Sequence, residues 1–248
     1  MHREPSKPDE KAVSPVISTV IITATLLIIL VVASFIATNM LEIHMQNSEF
    51  EQAKTAMLLL NKVIADVSLR PGAASSVQFN QRSGGIGLYK SENITIEILD
   101  SGSNPIKVIT AESYIIKYRG GSMVSAAEAN LTNPSGLIVD MSKPLGNVCV
   151  EVGDGAWIVL DYNRVRVIEN RDLGMISVYF ISLKPGTFGG SGTVTVRVQN
   201  RGERVLYYGA PNSGSAIRVK VGEIYEDREI PSGFIVRVVG AIIEVSIM

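Results

Sequence analysis

The chain has 248 residues, 46% of them hydrophobic, with a formal net charge of −1, two histidines and one cysteine. That balance of charge gives no sign of electrostatic capture of nucleic acid, and no such partner is expected. His2 and His44 are too few and too far apart for a histidine-built zinc site, and Cys149 alone cannot close an intrachain disulfide.

A short charged tail opens the chain and runs into an apolar segment. From Ala12 to Leu41 no side chain is charged, which exceeds the ~20 residues a bilayer core requires. A secretory signal carries an apolar region of about 7–15 residues before a small-x-small cleavage site. This run is far longer, and "VVASFIATNM" near its end matches such a site poorly, so cleavage after the run is not expected. Arg3, Lys7 and Lys11 precede the run, while Glu42, Glu49 and Glu51 follow it. Positive flanks stay inside, so the N-terminus should be cytoplasmic and the C-terminal region extracellular. At the junction, Ser14 is suited to cap a helix through its hydroxyl. Pro15 then falls at the first helical position, where its missing N–H costs nothing.

The helix is expected to continue well past the apolar run. Leu41 to Leu69 holds neither proline nor glycine, and Phe50, Ala53, Met57, Leu60, Ile64 and Val67 recur at spacings of three and four. That is one apolar stripe, with Glu42, Glu49, Glu51, Lys54, Lys62 and Asp66 mostly off it. Arg70-Pro71-Gly72 ends the pattern. At 1.5 Å per residue the helix is roughly 80 Å long. The stripe should pack on the protein's own C-terminal domain. Such packing does not account for the first half, whose whole surface is apolar.

Beyond Pro71 the pattern is that of strands. Alternation is clearest in "NITIEI", "TVTVRVQ" and "IRVKV". "SYIIKY", "GLIVD", "NVCVEV", "AWIVLDY", "VRVIE", "MISVYFISL", "RVLYYG" and "GFIVRVVGAIIEVSIM" are further candidates. Turn signals such as "SGSNP", "TNPSG", "KPGTFGGSG" and "APNSGS" separate them. The final apolar run should be a paired, central strand, since a free apolar edge invites aggregation. Cys149 reads as a small buried apolar residue. The fold class expected is α+β: one long N-terminal helix followed by a mainly antiparallel β-sandwich. Residues 1–12 should lie outside the helix as an accessible strip, with 13–70 the helix and 71–248 an extracytoplasmic β-rich domain, in one piece or two.

No catalytic, cofactor or metal constellation stands out, and the chain is not expected to be an enzyme. There is no G-x-S-x-G and no CxxC. "SGGIGLYK" lacks Walker spacing and reads as a flexible hairpin or loop. Asp154, Asp161, Glu169 and Asp172 read as solvent-face charges of alternating strands. Asn93 and Asn130 head two N-x-Ser/Thr sequons, and Asn93 should face outward, opposite Ile94, Ile96 and Ile98.

"EKAVSPVISTVIITATLLIILVVASFIA" resembles the N-terminus of archaeal type IV pilins and their relatives, closely over Lys11 to Ala37 and loosely to Leu69. In that superfamily a class III signal peptide precedes the apolar helix, and a prepilin-type peptidase cuts before it. The resemblance implies that Lys11 and Ala12 fill the recognition positions and that Val13 begins the mature chain, in "VSPVI". It further implies a surface filament involved in adhesion or cell-surface contact. The helix would sit in lipid before assembly and then pack against copies of itself or other pilin-like subunits. Val20, Ile21, Leu27, Leu30, Val31 and Ala33 would lie in that core, with small residues from Ser18 to Thr38 allowing close approach. Two other readings remain open. One is a single-pass anchored protein or minor pilin that does not polymerise; the other is an archaellin or an anchored ligand-binding domain. The Ser-Pro start favours pilin over archaellin.

Overall fold

The structure is a computed structural model that describes residues 13–190 and 192–248, with side chains described from Ile17 onward in the helix. Helix α1 spans Val13–Ser68. It is followed by β1 (Ala74–Gln81), β2 (Gly85–Lys90), β3 (Ile94–Leu99), β4 (Pro105–Ala111) and β5 (Tyr114–Arg119). Next come β6 (Ala129–Asn130), β7 (Ile138–Val139), β8 (Asn147–Val152), β9 (Ala156–Asp161) and β10 (Val165–Asn170). The chain closes with β11 (Met175–Phe188), β12 (Gly192–Gly209), β13 (Ala216–Val221), β14 (Ile224–Glu229) and β15 (Ile235–Ile247). The fold is therefore α+β, one long N-terminal helix followed by a mostly antiparallel β-rich region.

The strands form a six-stranded sheet (β1-β12-β15-β11-β10-β7), a four-stranded sheet (β14-β13-β3-β4) and a five-stranded sheet (β2-β5-β9-β8-β6). Two pairings are parallel, β11 with β15 and β7 with β10. The apolar C-terminal run is central, as its composition requires: β15 pairs with β11 on one side and β12 on the other. Strand β12 joins two expected strands, "TVTVRVQ" and "RVLYYG", into one. The intervening residues 200–203 stay in the strand through a bulge at Asn200/Gly202, and a second bulge lies at Val205/Tyr207. "GLIVD" contributes only the two residues of β7. "KPGTF", expected as a turn, continues β11 through an irregularity between Pro185 and Phe188. Strands β1, β4 and β14 were not expected from the sequence. Their runs are polar or mostly exposed, with few or no buried positions to create alternation.

Two cores hold the β region. Ile94, Ile96, Ile98, Ile217 and Val219 of the four-stranded sheet share one with Ile176, Val178, Phe180, Val236 and Val238. Ile181, Leu183, Ile243, Val245 and Ile247 belong to the other, with inward residues of the five-stranded sheet and the α1 stripe. Successive strand residues point to opposite faces. The central strands β11 and β15 thus present one face to the first core along their first half and the opposite face to the second core further on. Around the crossover, at Phe180–Leu183 and Val238–Ala241, every residue is buried. Gly240 is required there, because a Cβ would lie 2.7 Å from the Phe180 ring.

The stripe Phe50, Ala53, Met57, Leu60, Ile64 and Val67 is buried throughout, at 5% exposure or less. It packs in the β-region core as its spacing predicted. The packed unit accordingly begins at Gln46, inside α1, with residues up to Met45 as a separate unit. The 70/71 division follows secondary structure, whereas packing divides the helix itself. The carbonyls at the end of a helix lack intrahelical partners. Here Asn200 Nδ2 donates to the Val67 and Ser68 carbonyls, both at 3.1 Å, and the Tyr179 hydroxyl donates to Ser68 O at 2.8 Å. Gly72, at φ +81°, turns the chain away and donates its N–H to the Asn200 carbonyl.

Candidate functional site: the uncovered apolar helix segment and the carboxylate lock

From Ile17 to Leu41 the helix carries no charged side chain and is apolar around its circumference, and no part of its apolar stretch is buried within the chain. Val20, Ile21, Leu27, Leu30 and Val31 are 57–68% exposed, and Ala33 is also exposed. Fully burying one such aliphatic side chain is worth about 1.5–3 kcal/mol, so this surface favours an apolar environment. Its hydroxyls do not oppose that. Thr23 and Thr25 donate to the carbonyls of Thr19 and Ile21 at 2.8 Å, and Thr38 to Ser34 at 2.9 Å. Hydroxyls satisfied inside the helix remove the main cost of placing them in lipid or a dry packed core. The segment is long and apolar enough to cross a membrane.

Lys11 and Ala12, expected at the leader cleavage point, lie outside the described residues. Val13 is the first residue of α1, so the backbone of Ser14 and Pro15 sits in its first turn, slightly further in than a cap at Ser14 implies. Proline is compatible with that place because the first four N–H groups of a helix have no intrahelical acceptor.

Where the helix enters the packed unit, polar side chains lock it to loops. Glu49 lies off the stripe by spacing, yet it is buried. Its carboxylate accepts the Ser83 hydroxyl at 2.7 Å, the Ser83 and Gly84 N–H groups at 3.1–3.2 Å and the Tyr118 hydroxyl at 2.8 Å. Burial pushes the Glu49 carboxyl up, but these hydrogen bonds from Ser83, Tyr118 and Gly84 outweigh it and hold it below the usual range. Burial, then the Glu49 carboxylate, pushes the Tyr118 phenol up, so it stays a donor. Gln46 Oε1 accepts Met123 N–H at 2.9 Å, and Asn47 Oδ1 accepts Ser125 N–H at 3.2 Å. Gly120 lets this loop reach the helix, since a Cβ there would be 2.8 Å from the Phe50 ring. "SGGIGLYK" thus cups an anion with its backbone, and the anion is the chain's own Glu49. The rest of that run is strand β2. Sequence reasoning missed the lock because one glutamate beside a phenylalanine carries no local sign of burial.

The remaining candidates are dispersed. Asp154 accepts the Trp157 indole N–H at 3.0 Å, Asp161 pairs with Arg164, Glu169 pairs with Arg171 at 2.8 Å, and Asp172 is exposed. Among the described residues no three histidine, cysteine or acidic side chains converge to hold a metal ion. Cys149 is half-buried on the face of β8 opposite Val148 and Val150, not in the core as its alternating context suggested. Burial, then Glu151 and Asp161, pushes its thiol up to about 11, so it is protonated at neutral pH. Asn93 and Asn130 are both exposed. No protein-family model, curated protein or solved structure matches this chain.

Proposed function

We propose that the chain is a pilin-like structural subunit of an archaeal type IV pilus-like surface filament. It is made as a single-pass membrane precursor and presents its β region outside the cell for surface contact. The observation that carries this reading is the stretch Ile17–Leu41, free of charge, apolar around its circumference and buried by nothing in the chain. A helix of that kind is stable in lipid, and it is equally stable against identical helices. Once out of lipid, exposure of the whole surface to water holds the bundle together. Val20, Ile21, Leu27, Leu30, Val31 and Ala33 form the packing surface in this reading. Lys11 and Ala12 direct the prepilin-type peptidase to cut before Val13, and the assembly machinery takes up the product. The β region is a sandwich-like head whose six-stranded sheet shares its two cores with the other two sheets, and exposed Asn93 and Asn130 are its glycan acceptors.

Shearing native cells and comparing the filament fraction with the detergent-extracted membrane tests the reading. The chain is expected in sheared filaments, with a mature N-terminus at Val13 by mass spectrometry. Recovery in the membrane alone would replace it with the anchored, non-polymerising protein, which the same apolar stretch also suits. A terminus at Met1 or near Thr38 would overturn the processing assignment, as would normal maturation of Lys11→Glu.

A further inference from the structure

The outer face of the five-stranded sheet carries an open cleft of about 410 Å³, within the range of small-ligand sites. Its floor is Tyr89, which is 45% exposed. The ring folds back over Gly87, where a Cβ would lie 3.0–3.2 Å from its atoms, so the ring can lie there only because residue 87 has no side chain. Trp157 stands as the wall, at 87° to Tyr89 with ring centroids 6.3 Å apart. The indole is fixed from two directions. Its N–H donates to Asp154 Oδ1 at 3.0 Å, and Arg119 stacks 5.4 Å from its centroid while donating to the Asp154 carbonyl at 3.1 Å.

The charges around the rim select the ligand. Lys90, Lys117 and Arg119 stand against Glu112, Glu151 and Asp154, three cations and three anions. Lys117 Nζ lies 3.4 Å from Glu151, and Lys90 Nζ lies 3.8 Å from Glu112. With its charges already balanced, the cleft has no surplus for a phosphate or for a quaternary ammonium ion. What it offers is a flat aromatic floor, a perpendicular wall, and carboxylate and ammonium groups with hydrogen-bonding capacity left over. A pyranose ring matches that set, because its C–H face lies on an aromatic ring while its hydroxyls reach the rim. We propose that the Tyr89–Trp157 cleft binds a neutral hexopyranose unit of a glycan. This site does not depend on the helix or on filament assembly.

Trp157 is the chain's one tryptophan, so its emission reports the site directly. The full chain in detergent micelles would be titrated with the methyl glycosides of glucose, mannose, galactose and N-acetylglucosamine up to about 50 mM, since a single-sugar site works near the millimolar range. At least one glycoside should give a saturable change in emission. Tyr89→Ala should weaken binding about two- to tenfold, the worth of one aromatic contact, while Tyr89→Phe should retain it. Gly87→Ala keeps the aromatic ring but lifts it from its seat, and it too should weaken binding. It meets no backbone strain, and the only atoms it crowds are those of the exposed Tyr89 ring, so it serves as a second variant where Tyr89→Ala fails to fold. No saturable response to any glycoside would overturn the proposal. So would a response unchanged by Gly87→Ala, or saturable binding of inorganic phosphate in place of the sugars.

Discussion

At the scale of single residues, Glu49 concentrates more structure than its neighbours. One carboxylate holds two backbone N–H groups, a serine hydroxyl and a buried phenol. Glu49→Gln keeps the shape but loses the charge and sets an amide N–H against donors. Leaving such buried donors unsatisfied costs about 1–3 kcal/mol, seen as a lower midpoint in chemical denaturation. The sign of the pH effect follows from the depressed folded-state carboxyl. The carboxylate's stabilisation is present above the ordinary glutamate value, 4.5. It is lost as pH falls through the lower folded-state value. Other depressed carboxyls, among them Asp227 and Glu244, titrate in the same direction. The diagnostic quantity is therefore the difference between wild type and Glu49→Gln, which should shrink on acidification across that window. A difference constant with pH would mean that the charge at Glu49 contributes nothing. Asn200, 1% exposed, plays the corresponding part at the other end of the packed helix. Asn200→Ala strips the Val67 and Ser68 carbonyls of one donor, at a cost also of about 1–3 kcal/mol by the same measurement.

At the scale of elements, α1 is one helix with two kinds of surface. Met57 is fully buried among core residues, so Met57→Ala should destabilise the β region by about 2–5 kcal/mol. Leu27→Ala removes a side chain that is 57% exposed and should leave the unfolding midpoint of the β region where it is. Equal destabilisation by both variants, read by circular dichroism in detergent, would contradict this division of labour. The same contrast explains what was legible in advance. The stripe from Phe50 to Val67 and the uncharged run to Leu41 are periodic or uniform over many residues, so burial and helix could be read directly. Strands β3, β13 and β15 were legible because β3 and β13 alternate and β15 is a long, mostly apolar run. The polar strands β1 and β14 were not, since an edge strand's pairing is dictated by its partner's register rather than by its own side chains. The Glu49 lock was illegible for a related reason. Its donors come from Ser83, Gly84 and Tyr118, thirty-four to sixty-nine residues away, and only the fold brings them together. The aromatic cleft escaped as well. Tyr89, Arg119 and Trp157 lie on three neighbouring strands, and their shared face follows from strand order.

At the scale of the whole molecule, the proposed function turns on what covers the apolar helix surface, lipid alone or further copies of the helix. A charge does not separate the two. Leu27→Glu should abolish filaments, but it also costs at least about 2.5 kcal/mol in the bilayer, so membrane retention falls too. Ala33→Leu separates them. Leucine favours the bilayer and helix alike, so the precursor should insert and persist at wild-type levels. In a simple anchor the change is silent. In a packed bundle of identical helices it adds bulk where backbones approach closely, and overpacking costs about 1–3 kcal/mol per site. Each subunit added to a filament meets that cost again, so modest destabilisation of one contact becomes a large change in polymer length. The expected outcome is therefore short or absent filaments with undiminished membrane-bound precursor, measured by electron microscopy of the sheared fraction and immunoblotting of the membrane. Filaments of wild-type length from Ala33→Leu would remove this position from the packed surface. Normal filaments from both Ala33→Leu and Leu27→Glu would remove the apolar helix from the filament core altogether.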